Sequence, residues 1–467
     1  MRKAIIRFHY FKLILISIIV AFLSVLLADS LKKITGLYED QIFHKVSHMP
    51  LFFVLLPTVG ITAIYFLRKY LFMGKANKGI KEIYQTIENR RNELPAYKIP
   101  SHYFNGFLTV IFGGSTGVEV STVVATAAIG SAAHNKKAIA NIYKTELICA
   151  GVAAGVATLF GSPLAGFLFA IEVIAKKLTK TIFISCACSA LVAWGFMFLF
   201  ESNKLFNFTA TSWSFHAVPY LIILSIAAGF VSVYFTKTVI FLKDRFGKIN
   251  NNFIRVNAGA ILVGLSIMCF PQLYGDSYSA IPELLNQIHH QTFTIGLALL
   301  LAALVILKPL VASLTLGAGG DGGVFAPSIV VGAILGMLFA VMLNHYFNTQ
   351  LIVLNFALVG AAAALSAAIH GPLTSVFLTC SLVTGGFVLF IPIIFACFIA
   401  KYSAQFICSY TVYSYSCSCA CRVKAFFLPY PPPFPNIRER YRTRLALLFC
   451  GSRTYLFCLM LFKASLI

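Results

Sequence analysis

The chain is a succession of apolar runs joined by short polar segments, and many of the runs are too short to cross a bilayer alone. A spanning helix needs about 20 apolar residues. The run from Phe11 to Ala28 approaches this length, whereas those at Phe104–Phe112 and Leu164–Ile174 fall short. Helix ends at membrane depth are tolerated only where protein or an aqueous cavity covers them. The pattern therefore predicts an all-α, polytopic membrane protein with broken helices in its interior.

Composition excludes most other classes of protein. Hydrophobic residues make up 59% of the 467 residues and charged residues 11%, against roughly 25% charged in soluble proteins. A disordered chain needs the opposite balance. The net charge of +22 is spread over short basic clusters between apolar runs, such as Arg68/Lys69 and Lys176/Lys177. This spread favours a positive-inside orientation with a cytoplasmic N-terminus and contact with the lipid bilayer. Nucleic-acid binding is disfavoured because no basic region forms a domain of its own.

An internal repeat accompanies the interruptions. Ala150–Phe169 aligns without a gap on Val359–Leu378, so that Ser162-Pro163 meets Gly371-Pro372. Chance similarity of Ala/Gly-rich helices is the alternative, but the shared Pro-Leu after a run of small residues favours duplication. Each pair is expected to open a helix. Paired breaks of this kind indicate a transporter core with a midplane site, whether or not the copies are inverted.

Glu119 is the first candidate for a functional side chain. It follows a Gly-rich stretch and precedes a helix expected to begin near Ser121. A helix N-terminus attracts anions, so a carboxylate there can act as a tethered anion that competes with a mobile one. Plain helix capping or pairing with a lysine is the alternative. The apolar surroundings, in a chain with only 15 acidic residues, favour the functional interpretation.

The segment Gly317–Pro327 (GAGGDGGVFAP) is the second candidate. Its glycines allow backbone N–H groups to point into a cavity, and Pro327 suits the first turn of the next helix. Val324 and Phe325 would then offer backbone amides to an anion. A nucleotide-phosphate loop is the competing interpretation, but neither G-x-x-x-x-G-K-[ST] nor G-x-G-x-x-G is present.

Together these motifs resemble the CLC family of voltage-gated chloride channels and proton/chloride exchangers, from about Phe11 to Ser416. Gly117–Ser121 is similar to the family's G-[KR]-E-G-P signature, and Gly322–Pro327 to G-x-F-x-P. The resemblance implies two inverted-repeat halves whose broken helices meet at a midplane anion site. It also implies a gating role for Glu119 and anion binding by Gly117, Val324, Phe325 and the hydroxyl of Tyr413.

Two departures from the family pattern bear on function. The family's G-S-G-I-P signature reads Asn77-Lys78-Gly79-Ile80-Lys81 here, so Lys78 takes the place of an anion-binding serine. The resemblance implies that Lys78 and Gly79 contribute to anion binding. Val173 stands where exchangers carry an inner proton-accepting glutamate, just after Glu172. Valine cannot titrate. The leading hypothesis is therefore a gated chloride channel, and the alternative is a proton-coupled chloride antiporter with another inner proton route.

The remaining expectations concern organisation. We expect a transmembrane ion-conducting domain at 1–416 and an atypical tail at 417–467 of unassigned role, too short for the cytoplasmic CBS modules of many eukaryotic relatives. The resemblance implies a homodimer, and the missing CBS modules favour a prokaryotic plasma-membrane protein. No cofactor is expected, and the C-x-C-x-C run Cys417–Cys421 lacks the usual zinc spacing. A membrane-embedded enzyme is the rival class, but HExxH and GxSxG are both absent, and His289/His290 lie in a polar stretch interpreted as a loop.

Overall fold

The computed structural model of the chain describes residues 2–47, 49–72, 74, 77–89, 93–135, 143–200, 205–290 and 294–415. Within these ranges the regular structure is helical, apart from one isolated bridge between Thr209 and Thr384. The predicted tail and its C-x-C-x-C run lie outside the described residues. The all-α prediction is confirmed.

Sixteen α-helices are found in the described ranges. Those of the first half are α1 (Arg2–Val46), α2 (Phe52–Tyr70), α3 (Ile80–Glu88), α4 (Lys98–Ile111), α5 (Glu119–Asn135), α6 (Lys144–Phe160), α7 (Pro163–Phe169) and α8 (Lys180–Phe200). Those of the second half are α9 (Val218–Gly247), α10 (Asn252–Cys269), α11 (Ala280–His290), α12 (Ile295–Ala318), α13 (Phe325–Phe347), α14 (Val353–Ile369), α15 (Pro372–Leu382) and α16 (Phe390–Ile407). A π-helical turn, Ala170–Ala175, continues α7.

Helix length divides the elements into two groups. Eight helical segments, containing α1, α2, α8, α9, α10, α12, α13 and α16, are long and apolar enough to cross a membrane. The shorter α6 and α14 are buried without interruption over 147–160 and 355–369. A helix that is apolar and covered on every side belongs to a protein core and not to a lipid-facing surface. The interior of the assembly is therefore built from the short Ala/Gly-rich helices.

The same break follows α6 and α14. Each helix ends at a residue in the left-handed region, Gly161 (φ 61°) and His370 (φ 56°). The next residue leaves helical geometry, and Pro163 or Pro372 then occupies the first position of the following helix. Proline fits there because the first-turn N–H has no intrahelical partner to lose. The helix openings predicted from the repeat are thus present in both copies.

Glycines set the close approach of the helix pairs at the centre. A Cβ atom at Gly151 of α6 would overlap the backbone of α5, and one at Gly332 of α13 would overlap the carbonyl of Gly360 on α14. The reverse clash holds for Gly360 against Gly332. Small residues at helix crossings let the two backbones come into contact. In a membrane, where the hydrophobic effect does not drive helices together, such close packing stabilises their association. The loops that contain the candidate site residues lead directly into α5 and α13, one helix of each pair.

Candidate anion site and gate

Glu119 is the first residue of α5, two residues before the predicted start of that helix, and only 4% of its surface is exposed. The loop before it is held by a hydrogen bond from the Ser115 N–H to Thr315 Oγ1 of α12, at 3.2 Å. On the carboxylate itself, Oε1 accepts a hydrogen bond of 2.8 Å from the hydroxyl of Tyr278. The carboxylate is therefore a buried, oriented group and not a solvated cap.

The carboxylate of Glu119 lies beside the first turn of α13. A Cβ atom at Gly117 would overlap Glu119 Oε2 and would come within 2.7 Å of Ala326 Cβ, so the two groups border the same small space. Val324 is the N-cap residue of α13 and Phe325 its first residue, and both are buried. The N-terminus of a helix carries unpaired N–H groups and the positive end of its dipole. Such an environment attracts negatively charged groups.

Tyr413 reaches the same turn from the end of the described chain. Its hydroxyl accepts a hydrogen bond of 3.3 Å from the Val324 N–H, and its ring is buried. A Cβ atom at Gly323 would meet both this hydroxyl and the side chain of Val120. The structure thus brings together five of the predicted residues: Gly117, Glu119, Val324, Phe325 and Tyr413.

Of the neighbouring residues Lys78 and Gly79, the first is exposed at the surface and the second lies close to α5. Gly79 has a φ of 64°, and a Cβ atom built on it would lie 3.5 Å from Val120 on α5. Lys78 is exposed, and its backbone N–H donates to Glu82 Oε1 at 2.8 Å, which fixes the start of α3. The backbone of this loop approaches α5, while the lysine itself stands at the surface.

Val173 lies in the π-helical turn after α7, where it is buried and its carbonyl accepts a hydrogen bond of 3.0 Å from Tyr84. Its neighbour Glu172 serves a different purpose. The carboxylate of Glu172 accepts hydrogen bonds from the backbone N–H groups of Leu373 (3.3 Å) and Thr374 (2.8 Å) and from the Thr374 hydroxyl (2.8 Å). Glu172 therefore accepts hydrogen bonds from the N-terminus of α15.

The sequence analysis did not predict the polar groups around Tyr278, the residue that donates a hydrogen bond to Glu119. The Tyr278 N–H donates to Asp276 Oδ1 at 2.8 Å. Lys308, fully buried within α12, donates to Ser115 Oγ (2.8 Å), to Ser277 Oγ (2.6 Å) and to a backbone carbonyl at position 275 (3.1 Å). This lysine joins the turn before Glu119 to the turn before Tyr278. Its signal was readable, since a lysine inside the run LVILKPLV is costly in a membrane and marks a partnered group.

The described residues contain no group of three or more His, Cys, Asp or Glu side chains arranged to hold a metal ion. What the site offers is backbone N–H groups, hydroxyls and one carboxylate around a helix N-terminus. Such donors can replace part of the hydration shell of a small anion.

Residues 59–405 match the family model for voltage gated chloride channels. This chain belongs to the CLC family. Among the relatives of this CLC protein, the H(+)/Cl(-) exchange transporter ClcA of Cronobacter sakazakii is 28% identical over 394 residues, which cover 79% of this chain and 81% of the relative. The ClcA protein of Vibrio cholerae is 26% identical over 427 residues, covering 85% and 88%.

Solved structures show the same fold. A CLC-type fluoride/proton antiporter superposes with a TM-score of 0.72 at 21% identity, covering 86% of this chain and 96% of the other. A slow cyanobacterial Cl-/H+ antiporter superposes with a TM-score of 0.73 at 19% identity, covering 88% and 98%. The CLC architecture expected from the motifs is therefore confirmed.

Proposed function

We propose that this CLC protein exchanges chloride, or a related small anion, for protons across a membrane, with Glu119 as the gate. The observation that carries the proposal is the position of the Glu119 carboxylate, buried beside the first turn of α13 and held by Tyr278. The names of the relatives add weight to exchange over passive conduction, because both ClcA proteins are described as H(+)/Cl(-) exchange transporters.

In the proposed mechanism, the ionised carboxylate occupies an anion position at the N-terminus of α13 and closes the path. Protonation removes its charge and its attraction for the helix dipole, so that the side chain leaves and a mobile anion takes its place. The amides of Val324 and Phe325, with the Tyr413 hydroxyl, then bind that anion. Several weak contacts, and not one tight site, let the anion move on.

A gated chloride channel is the second candidate, and Val173 is the observation in its favour. A side chain that cannot titrate at the usual inner position removes one proton step. The relatives that are named as exchangers outweigh this single position, so exchange is the function we propose.

Proteoliposomes loaded with chloride and diluted into chloride-poor medium provide the test, with a potassium ionophore to dissipate the voltage. An exchanger drives protons inward as chloride leaves, so the external medium becomes alkaline. A channel releases chloride with no net proton movement. The matched control is Glu119→Gln, for which we expect chloride efflux without proton uptake. Chloride release from the wild type at constant external pH would refute exchange.

The proposal extends to the setting of the protein. We propose a homodimer with one pore per subunit, in the plasma membrane of a prokaryotic cell, with residues 1–416 as the transport domain. Apolar side chains exposed on α8 and α16, among them Trp194, Phe198 and Phe395, offer a surface for a second copy or for lipid. The mass of the purified protein in lipid nanodiscs decides between one and two chains.

A further inference from the structure

A histidine and an aspartate form a buried pair below the candidate anion site. His102 lies in the first half of α4, and its Nδ1 is 2.9 Å from Oδ2 of Asp321, with 0% and 5% of the two side chains exposed. Within the described ranges neither ring nitrogen makes a hydrogen bond of good geometry, so Nδ1 meets the carboxylate as a close ion-pair contact and Nε2 has no partner. Histidine is a common proton shuttle in proteins, and here the carboxylate of Asp321 lies beside the ring.

This pair is connected to both loops of the anion site. Asp321 belongs to the Gly-rich segment and precedes Val324 by three residues, and its N–H donates to Thr109 Oγ1 at 2.9 Å. Its carboxylate also accepts a hydrogen bond of 2.8 Å from Asn77, the residue before Lys78. A change of charge on the pair therefore acts on the two segments that approach Val120 and Glu119.

Other charged groups face the pair from each neighbouring element. Lys98 of α4 donates to Asn77 and to Glu82 of α3, and Arg68 of α2 donates to the carbonyl of residue 319. Lys243 of α9 interacts electrostatically with Asp321 and with Lys81. This end of the assembly is thus rich in lysine and arginine, and by the positive-inside rule it is the cytoplasmic end.

Polar atoms without partners lie on the helices that carry His102 and Glu119 and in the turn before α5. Asn105 Oδ1, Thr116 Oγ1 and Ser121 Oγ are buried and unpaired in the part of the chain that the structure describes. Asn105 follows His102 by three residues on α4, and Ser121 follows Glu119 by two on α5. A Cβ atom at Gly106 would overlap Ser121 Oγ, so α4 and α5 touch at this level. Buried polar atoms of this kind are the usual partners of internal water molecules, along which protons can move.

We propose that His102, paired with Asp321, is the inner proton-accepting group of this protein, in the role that Val173 cannot fill. The inference rests on the proposed exchange function. The neutral imidazole accepts a proton from cytoplasmic water and becomes an imidazolium beside the Asp321 carboxylate. It then releases that proton, by way of water at Asn105 and Ser121, to the carboxylate of Glu119.

The test measures chloride and proton fluxes together in proteoliposomes. His102→Asn retains an amide that can face Asp321 but cannot titrate. We expect its chloride-driven proton uptake to fall at least about tenfold while chloride efflux continues, so that the ratio of protons to chloride collapses. Asp321→Asn should lower the same ratio. The same replacement at the exposed His216 is the matched control and should keep the wild-type ratio.

Each other outcome is decisive. If the wild type moves no protons, the exchange function itself fails. If the wild type exchanges and His102→Asn keeps the wild-type ratio, exchange stands and the inner proton role of His102 is wrong. Parallel loss of both fluxes in His102→Asn and Asp321→Asn would assign the pair to folding or to the anion site and overturn the proposal. Loss of proton uptake in Glu172→Gln alone would transfer the role to Glu172.

Discussion

Removal of the Tyr278 hydroxyl tests how Glu119 is held. Tyr278→Phe deletes one oxygen and keeps the ring, which packs edge-on against Phe206 with centroids 6.1 Å apart. The deleted group is the donor of the 2.8 Å hydrogen bond to Glu119 Oε1. Because the acceptor is buried and the donor is partly buried, water has limited access to replace the lost bond. The substitution should therefore weaken the closed position of the gate without removing the gate.

The size of the effect follows from the charge of the acceptor. A hydrogen bond to a charged group contributes about 1.5–3 kcal/mol, and one between neutral groups about 0.5–1.5 kcal/mol. The variant therefore withdraws about 1–1.5 kcal/mol more from the ionised gate than from the protonated one. At 1.4 kcal/mol per tenfold, this is a factor of about 5–10. Chloride efflux should rise mainly at the higher pH, where Glu119 is ionised, and the ratio of efflux at low pH to that at high pH should shrink by this factor.

Chloride efflux from liposomes, recorded over a series of external pH values, measures that ratio directly. The matched control is Tyr274→Phe, since Tyr274 lies in the same turn and its buried hydroxyl donates to the carbonyl of Ile111. If the substitutions act by loosening the turn, both variants change the pH ratio. If the lost hydrogen bond to Glu119 is the cause, only Tyr278→Phe changes it. An unchanged pH ratio in Tyr278→Phe, or equal changes in both variants, would refute the reasoning.

Three further substitutions test the packing and the anion contacts. Gly332→Leu should prevent assembly of the folded protein because the added side chain overlaps the backbone of Gly360; a monodisperse chromatographic peak would contradict this. Lys308→Met should lower the free energy of unfolding by at least about 2 kcal/mol, because three oxygens lose their buried donor, as read from thermal unfolding in detergent. Tyr413→Phe should weaken chloride binding about 2–10-fold in calorimetry, since it removes the hydroxyl bonded to Val324; equal affinity would remove Tyr413 from the site.

Features set by neighbouring residues were readable from the sequence. Proline after a short polar or glycine residue predicted the openings of α7 and α15, because proline suits the first helical position whatever the rest of the chain does. The length of α1 was not readable in this way. The predominantly apolar run ends at Ala28, yet the helix continues to Val46, with Thr35 and Glu39 buried in its second half. Those polar residues are covered by other parts of the chain, which periodicity does not reveal.

The same distinction applies to the residues of the candidate site. Local sequence signals were sufficient for Glu119, Val324 and Phe325. Each lies near glycines or a proline that indicate the start of a helix, so each could be predicted from its own segment. Tyr278 and His102 could not, because their partners are far along the chain; Tyr278 and Glu119 are 159 positions apart. Only the fold brings such residues together.

The positions of two carboxylates give a physical reason to couple anions to protons. Glu119 lies beside the first turn of α13, and Asp321 precedes the same turn by three residues. A Cβ atom at Gly322, the residue after Asp321, would overlap the side chain of Thr116, so the Gly-rich segment packs against the turn before Glu119. Like charges repel, and the repulsion is stronger in a protein interior than in water. An anion bound at Val324 is therefore disfavoured by an ionised Glu119, and less by Asp321, whose charge is partly offset by Asn77 and Arg68. A proton on Glu119, or on the imidazole beside Asp321, removes one source of repulsion.

Binding of the proton and binding of the anion are therefore linked: if the proton raises the affinity for the anion, the anion raises the affinity for the proton by the same factor. Chloride affinity should accordingly rise as pH falls, and His102→Asn should lose part of that rise even in protein that still carries Glu119.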